Sequence, residues 1–198
     1  MTLTESLWYL GRGTGIVALV MFTVTMVLGI TTRSGRRVAG LDRFGVAELH
    51  KTASLAGTAL ILVHVGTLLF DPYAQLRLID LVLPFAGSYR PVWQGLGTAA
   101  VDVLLVIVAT SLLRHRIGPR VFRAVHWAAY AMWPLALAHG LGNGTDAATL
   151  WFRSIALACA LAVTGAVTWR LSAGYAERGM RRIPRTPAHT QHQEVVSR

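Results

Sequence analysis

The sequence has little cysteine and few charged residues, and each shortage excludes a class of protein or site. Cys159 is the only cysteine, which rules out a disulfide framework, a four-cysteine zinc site, a cysteine-ligated iron–sulfur cluster and haem attachment through C-x-x-C-H. Charged residues make up 14% of the chain and hydrophobic residues 54%. This composition is too apolar for an ordinary soluble domain and favours a membrane protein.

The charge that is present is strongly positive. The formal net charge is +10, yet the basic residues do not form a patch interleaved with aromatic residues, so nucleic acid is not expected as a partner. They lie in short runs between apolar segments, which is how membrane proteins mark their cytoplasmic loops. Lys51 is the only lysine, and the abundance of arginine, alanine and glycine hints at a bacterial gene of high GC content. We therefore expect a multi-pass protein of a bacterial plasma membrane, in contact with lipid.

Five apolar segments are each long enough, at about 20 residues, to cross a hydrocarbon core of roughly 30 Å as helices. The first segment follows Glu5 in place of a basic region, and no A-x-A-like site follows it, so we interpret it as a retained helix and not a secretory signal. Residues 71–91 contain an apolar piece too short to span, expected to lie in the outer interface or fold back over the bundle. The five predicted helices lie at residues 11–31, 47–70, 95–113, 122–141 and 150–171.

The distribution of arginine and lysine predicts the orientation of the five helices. Of the 19 basic residues, 15 fall on one side of the predicted membrane and four on the other. The side with 15 is taken as cytoplasmic, which puts the amino terminus outside and the carboxyl terminus inside. Residues 1–173 are then the membrane domain, and residues 174–198 are expected to be a disordered, basic cytoplasmic tail.

Two of the segments each carry two histidines at nearly the same separation. His50 and His64 are 14 residues apart in "HKTASLAGTALILVH", so on a helix they rise about 21 Å and return to within about 40° of one face. His126 and His139 are 13 residues apart in "HWAAYAMWPLALAH", which leaves them about 140° apart on an ideal helix. We expect a kink at Pro134 or a one-residue bulge to rotate the second pair together.

Both segments run in the same direction through the predicted membrane. His50 and His126 therefore share the cytoplasmic depth, and His64 and His139 share the outer depth. Each of these two levels offers two histidines and little else. Zinc or copper would need three or four protein ligands, whereas haem needs two axial imidazoles, and without C-x-x-C-H the haem is non-covalent and b-type. We predict two b haems about 20 Å apart; the alternative is four unrelated packing histidines.

The paired histidines, the basic loop and "RVFRAVHWAAY" at the start of the second histidine segment resemble the ferric reductase-like transmembrane domain. That family includes ferric reductases, NADPH oxidases and the haem-bearing membrane subunit of bacterial methionine sulfoxide reductase systems. "LWYLGRGTGIVAL", "PFAGSYRPVWQGLG" and "LAHGLGNGTD" are similar to its actinobacterial single-domain members. The resemblance covers roughly residues 5–172, and it implies two stacked b haems on the four histidines and passage of electrons across the membrane.

Four basic residues are candidate partners of the anionic haem propionates. Lys51 and Arg123 are expected at the inner haem, although both also fit the ordinary excess of positive charge in cytoplasmic loops. Arg12 and Arg90 are expected at the outer haem. Asp102, an acid inside the third segment, is expected to pair with one of these two outer arginines, with proton handling or substrate binding as the alternatives.

The predicted function is that of a di-haem b-type cytochrome, an oxidoreductase component without a catalytic residue of its own. Only about 27 residues follow the last segment, so we expect no FAD or nicotinamide domain in this chain. Nicotinamides deliver two electrons as hydride and a b haem accepts one, so the expected donor is a separate flavoprotein or a membrane quinol. The acceptor, at the outer face, stays open among ferric iron, oxygen, a flavoprotein and a sulfoxide reductase. The alternatives are a haem-bearing anchor that oxidises menaquinol for a partner reductase, and a non-redox scaffold.

Overall fold

The computed structural model describes residues 2–34, 40–74 and 76–172. Regular structure in these ranges is helical, as the sequence predicts, and the predicted tail at 174–198 lies outside them. A short 3₁₀-helix, Leu78–Leu81, lies between α2 and α3. The six α-helices are α1 (Leu3–Ser34), α2 (Arg43–Leu69), α3 (Pro91–Leu112), α4 (Arg114–His126), α5 (Ala129–Asn143) and α6 (Leu150–Leu171).

Four of these helices, α1, α2, α3 and α6, are long and apolar enough to cross a membrane. They coincide with four of the five predicted segments. The fifth, at residues 122–141, is divided between α4 and α5, and α5 has 15 residues, fewer than the roughly 20 that a single spanning helix needs. In the described ranges the structure therefore has four candidate spans where the sequence predicts five.

The basic stretch before this divided segment is helical, where the sequence predicts a loop. Gly118 has φ 79° and ψ 162° inside α4, a conformation that glycine adopts without strain because it has no Cβ. Pro119 follows it and begins a second helical run, the position where its fixed φ is favourable. The glycine–proline pair therefore forms a kink that separates α4 into two helical runs.

The long helices pack around α1. α2 lies antiparallel along α1, α3 packs on α5, and α1 also contacts α5 and α6. The Trp133 indole donates a hydrogen bond of 3.0 Å to the Thr23 hydroxyl and so joins α5 to α1 in the buried interior. The buried core between the helices is formed by Ala18, Leu19, Phe22, Ala100, Leu104, Ile107, Met132, Trp133, Cys159 and Val163.

The segment between α2 and α3 folds back onto α3, one of the two placements that the sequence predicts. The buried Asp80 carboxylate accepts hydrogen bonds from the Arg77 backbone N–H at 3.0 Å and from the Arg77 guanidinium at 2.9 Å and 3.2 Å. The Thr98 hydroxyl of α3 donates to the Asp80 carbonyl at 2.7 Å. These bonds fix the 3₁₀-helix against the first turns of α3.

We expect the stability of this segment to depend on pH through Asp80. The hydrogen bond from the Arg77 guanidinium, helped by the Arg77 backbone N–H, holds the pKa of the Asp80 carboxyl below its ordinary value. Since the folded-state pKa is depressed, the stabilisation is complete above the ordinary aspartate range and is lost as pH falls through the folded-state pKa. The measurement is Tm against pH for the wild type and for Asp80→Asn. The two Tm values should differ at neutral pH and converge in acid, and a difference that stays constant would contradict the assignment.

Candidate cofactor site

The structure brings the four histidines together as two pairs, each with one histidine from α2 and one from the divided segment. The ring centroids of His50 and His126 are 6.2 Å apart. Those of His64 and His139 are 6.4 Å apart. These are the pairs that the helix periodicity and the parallel course of the two segments predict.

The spacing within each pair fits two imidazoles on one metal ion. An imidazole nitrogen lies about 1.15 Å from its ring centre, and metal–imidazole bonds are about 2.0 Å long, so collinear ligation puts the centroids about 6.3 Å apart. The observed values of 6.2 Å and 6.4 Å lie on either side of this distance. The two rings are steeply inclined, at 70° in the His50 pair and 85° in the His64 pair. The rings are therefore not stacked face to face.

α2 and the two helices of the divided segment, α4 and α5, leave room between them. α2 packs against α1, and α4 and α5 pack against α3, but neither α2 with α4 nor α2 with α5 is among the closely packed pairs in the described part of the chain. The histidine side chains thus meet across a gap between backbones. A planar macrocycle lying between two helices needs such a gap, so the arrangement fits the b haem that the sequence predicts.

In three of the four histidines a backbone carbonyl fixes the position of the ring proton. A carbonyl only accepts hydrogen bonds, so each bonded Nδ1 carries the hydrogen, and Nε2 keeps its free lone pair for a metal. Ligating histidines in metal sites are usually oriented in this way. The bonds run from His50 to the Thr25 carbonyl at 2.9 Å, from His64 to the Gly11 carbonyl at 2.7 Å and from His139 to the Trp93 carbonyl at 2.8 Å.

The fourth histidine, His126, is different. Its Nδ1 is buried and has no hydrogen-bond partner among the described residues. The ring lies beside Phe122, one turn earlier in α4, with centroids 5.3 Å apart and planes inclined by 34°. The two levels are therefore unequal, because both histidines of the His64 pair are held by carbonyls and only one of the His50 pair is.

A tight turn between α4 and α5 reduces the rotational mismatch of the 13-residue spacing. Hydrogen bonds from Ala128 to Val125 at 2.9 Å, from Tyr130 to Trp127 at 3.1 Å and from Ala131 to Ala128 at 3.0 Å span three residues and not four. Such 3₁₀-type residues advance by about 120° each instead of 100°, so three of them remove about 60° of the roughly 140° mismatch.

The kink at Pro134 or one-residue bulge that the sequence predicts stays a prediction, because the tight turn removes only part of the mismatch. Pro134 lies inside α5, and it has no N–H for the carbonyl four residues earlier, which belongs to Tyr130. The overwound turn includes Tyr130 and comes just before the proline. The backbone thus tightens ahead of Pro134.

Arg12 and Arg90, the predicted partners of an outer haem, both have protein partners at the end of the bundle where His64 and His139 lie. Arg12 forms a bidentate ion pair with Asp146, with Nε 2.8 Å from Oδ2. Its guanidinium also lies 4.1 Å from the centre of the Trp8 ring. Arg90 donates to the Gly142 carbonyl at 2.8 Å. Contacts with haem propionates stay a prediction for both.

Lys51 and Arg123, the predicted partners of an inner haem, lie at the opposite end of the bundle. The Lys51 ammonium is 3.3 Å from Glu48, and both side chains are exposed. Arg123 is also exposed. Their position near the His50 pair fits either a propionate contact or the ordinary basic surface of a cytoplasmic face, and both interpretations stay open.

A shallow, open cleft lies between the start of α3, the end of α5 and the start of α6. Its volume is about 490 Å³, and its lining includes Arg90, Arg153 and Asn143. The Arg153 guanidinium donates to the Ala147 carbonyl at 2.9 Å. No acidic side chain lines the cleft within the described residues, so its polar surface is cationic.

Asp102 does not form the ion pair that the sequence predicts. Arg12 is bonded to Asp146 and Arg90 to the Gly142 carbonyl. Asp102, half-buried in α3, has no hydrogen bond or ion pair to any residue that the structure describes. The expectation failed because Asp146, next to the "GNGT" turn, provides the acid for Arg12 instead.

Sequence reasoning also missed the three backbone acceptors of the histidines. Gly11, Thr25 and Trp93 contribute carbonyl groups, and no side-chain pattern identifies a carbonyl acceptor. The available signal is the glycine four residues after each of them, at Gly15, Gly29 and Gly97.

Comparison with known proteins identifies one family. A family model described as "Ferric reductase like transmembrane component" matches residues 14–137, which is more than half of the chain. The match includes three of the four paired histidines and ends two residues before His139. No curated protein and no solved structure is significantly similar to the chain.

Proposed function

Since the chain belongs to the ferric reductase-like transmembrane component family, we propose that it is a di-haem b-type cytochrome that passes electrons across the membrane. His50 and His126 would hold one haem, and His64 and His139 the other. In the proposed orientation the amino terminus is outside, and the divided segment completes a fifth crossing. The His50 pair then lies at the cytoplasmic depth and the His64 pair at the outer depth of a bacterial plasma membrane.

The observation that carries the proposal is the pair spacing. Two histidine pairs at 6.2 Å and 6.4 Å match the roughly 6.3 Å expected for bis-imidazole ligation. No group of three or more histidine, cysteine, aspartate or glutamate side chains that could hold a metal ion occurs within residues 2–34, 40–74 and 76–172. Two ligands per level suit haem, whose porphyrin provides the remaining coordination.

The residues of the chain bind and orient the haems. When bound, a b haem supplies a one-electron Fe(III)/Fe(II) couple. His50, His64 and His139 present Nε2 because carbonyls hold their Nδ1 protons. The 14-residue separation on α2 puts the two levels about 21 Å apart along the helix, and no step requires a catalytic acid, base or nucleophile.

The proposed donor is a separate flavoprotein at the basic cytoplasmic face or a quinol in the membrane. The proposed acceptor meets the outer face. The cationic cleft with Arg90 and Arg153 would lie on that face, and Arg90 is also the proposed partner of an outer propionate. At the inner level Lys51 and Arg123 are the corresponding candidates.

Asp102 favours a second candidate function, that of an anchor that oxidises menaquinol for a partner reductase. Oxidation of a quinol releases two protons with its two electrons, and an unpaired carboxylate inside a span is a functional candidate because burying it is costly. Under this function a quinol analogue would reduce the haems directly, and Asp102→Asn would slow the reduction. Under the first function with a flavoprotein donor, the substitution would leave reduction unchanged.

The absorption spectrum and haem content of the purified protein test the main proposal. We expect a sharp Soret band, the reduced bands of low-spin bis-imidazole haem and two haems per chain. Because the ligand planes are nearly perpendicular, at 70° and 85°, the oxidised protein should give strongly anisotropic low-spin EPR signals. A correctly folded, monodisperse preparation without a Soret band would overturn the proposal.

A further inference from the structure

Three of the histidines use the same contact with a neighbouring helix. Each imidazole donates Nδ1–H to a carbonyl, and it lies against the glycine four residues after that carbonyl. A Cβ atom on Gly15 would lie 2.8 Å from both Cε1 and Nδ1 of His64. One on Gly97 would lie 2.5 Å from Nδ1 of His139.

The contact between Gly29 and His50 repeats, farther along α1, the contact between Gly15 and His64. A Cβ atom on Gly29 would lie 3.2 Å from Cε1 of His50. Gly15 and Gly29 are 14 residues apart, the same separation as His64 and His50 on the antiparallel α2. The two contacts are therefore one arrangement repeated at the two levels of the bundle.

Glycine is required by the geometry of this contact. The carbonyl of a helical residue already accepts the N–H four residues later, and its second lone pair is free for an outside donor. The side chain of that later residue would normally block an outside donor from reaching this lone pair. Without a Cβ the imidazole reaches the carbonyl, and its Nε2 points away from the helix.

His126 lacks the corresponding contact with a glycine and a carbonyl, and the residues of α3 offer a physical reason. By register, the position opposite His126 lies 13 or 14 residues after Gly97 on α3, at Thr110 or Ser111. Both residues carry a Cβ, and both hydroxyls donate to the carbonyls that an imidazole would use. Thr110 donates to Val106 at 2.7 Å and Ser111 donates to Ile107 at 2.6 Å. His126 correspondingly has a buried Nδ1 without a partner among the described residues.

We infer that Gly15, Gly29 and Gly97 are positioning residues that set the orientation and reduction potential of the haems through these hydrogen bonds. The inference rests on the proposed haem ligation. A carbonyl acceptor draws the Nδ1 proton away from the ring and makes Nε2 a stronger donor. A stronger axial donor stabilises Fe(III), so each such bond lowers the potential of its haem. The outer haem has two of these bonds and the inner haem one.

The experiment compares glycine-to-alanine variants of the full chain with bound haem. Gly15→Ala pushes on the His64 ring and should raise the midpoint potential of the outer haem and change its EPR signal. The expected size is about tenfold in the ferric-to-ferrous ratio, equivalent to about 59 mV for a one-electron couple. Gly13→Ala is the matched control, because it is on the same helix and its Cβ would have no neighbour within 4 Å.

Gly29→Ala provides a milder variant at the other level. Its Cβ would contact His50 at 3.2 Å, which a shift of a few tenths of an ångström relieves, so we expect a folded protein with a smaller rise in the inner potential alone. Loss of only the outer haem in Gly15→Ala, with both haems kept in Gly13→Ala, would also support the inference.

Unchanged potentials and EPR signals in Gly15→Ala and Gly29→Ala, with two haems bound, would overturn it. Equal effects of Gly13→Ala and Gly15→Ala would overturn it as well. A wild-type protein without haem would instead refute the proposed function, so the two failures are distinguishable.

Discussion

Replacing His64 with alanine is expected to lower the haem content from two per chain to one. The variant removes one axial ligand from the outer level, where His64 and His139 are 6.4 Å apart between ring centroids. The other level is about 21 Å away along α2, and its ligands do not contact the outer pair. Haem per chain, measured as the pyridine complex, should therefore halve, and one of the two low-spin EPR signals should disappear.

The matched control is His115→Ala. His115 is exposed on α4, outside both pairs, and its replacement should leave two haems per chain. His139→Ala should reproduce the effect of His64→Ala, and it should empty the same level. The assigned pairing would be wrong if His64→Ala and His50→Ala abolished the same EPR signal and each variant kept one haem.

The pairing of the histidines could be predicted from the sequence because it follows from helix periodicity on α2 and from the parallel course of the two histidine segments. His50 and His64 lie on an uninterrupted helix, where 14 residues return to nearly the same face. The positions of α1, α2, α3 and α6 were predictable for a similar reason, since about 20 apolar residues are needed to cross a bilayer. Both arguments use average helix geometry and need no knowledge of neighbouring helices.

The path from His126 to His139 could not be predicted in this way. Its rotation depends on a few hydrogen bonds around Trp127 and Ala128 that span three residues, and both residues are compatible with an ordinary α-helix. Pro134 indicates that the segment is irregular but does not identify the turn that changes. No local sequence signal therefore marks the turn that tightens.

The contacts of the charged residues also could not be predicted from local sequence. Asp102, the acid inside an apolar segment, was expected to pair with Arg90 or Arg12. Asp146 lies 134 residues along the chain from Arg12 and pairs with Arg12 instead. Such a pairing depends on how the helix ends meet. In contrast, the 14-residue spacing of Gly15 and Gly29 could have been recognised, because it equals the spacing of the histidines that these glycines contact.

Reduction of an oxidant trapped inside lipid vesicles is the second large effect that we expect. Purified protein would be placed in sealed vesicles that contain ferricyanide, and dithionite would be added outside. Because the proposed haems lie at the two depths of the membrane, electrons should pass from the outside to the ferricyanide, seen as loss of its absorbance. Vesicles without protein measure the leak, and His115→Ala vesicles should match the wild type.

His50→Ala and His64→Ala should each reduce the rate to that of the protein-free vesicles. One remaining haem leaves about 20 Å of the crossing without a redox centre, and electron tunnelling slows exponentially with distance. Each variant must first be shown to retain one haem, so that unfolding is not mistaken for a broken path. A wild-type rate in a variant that has lost one level would show that transfer does not need both pairs. Loss of activity in both variants, with full activity in His115→Ala, is the result that the positions of His50 and His64 on α2 lead us to expect.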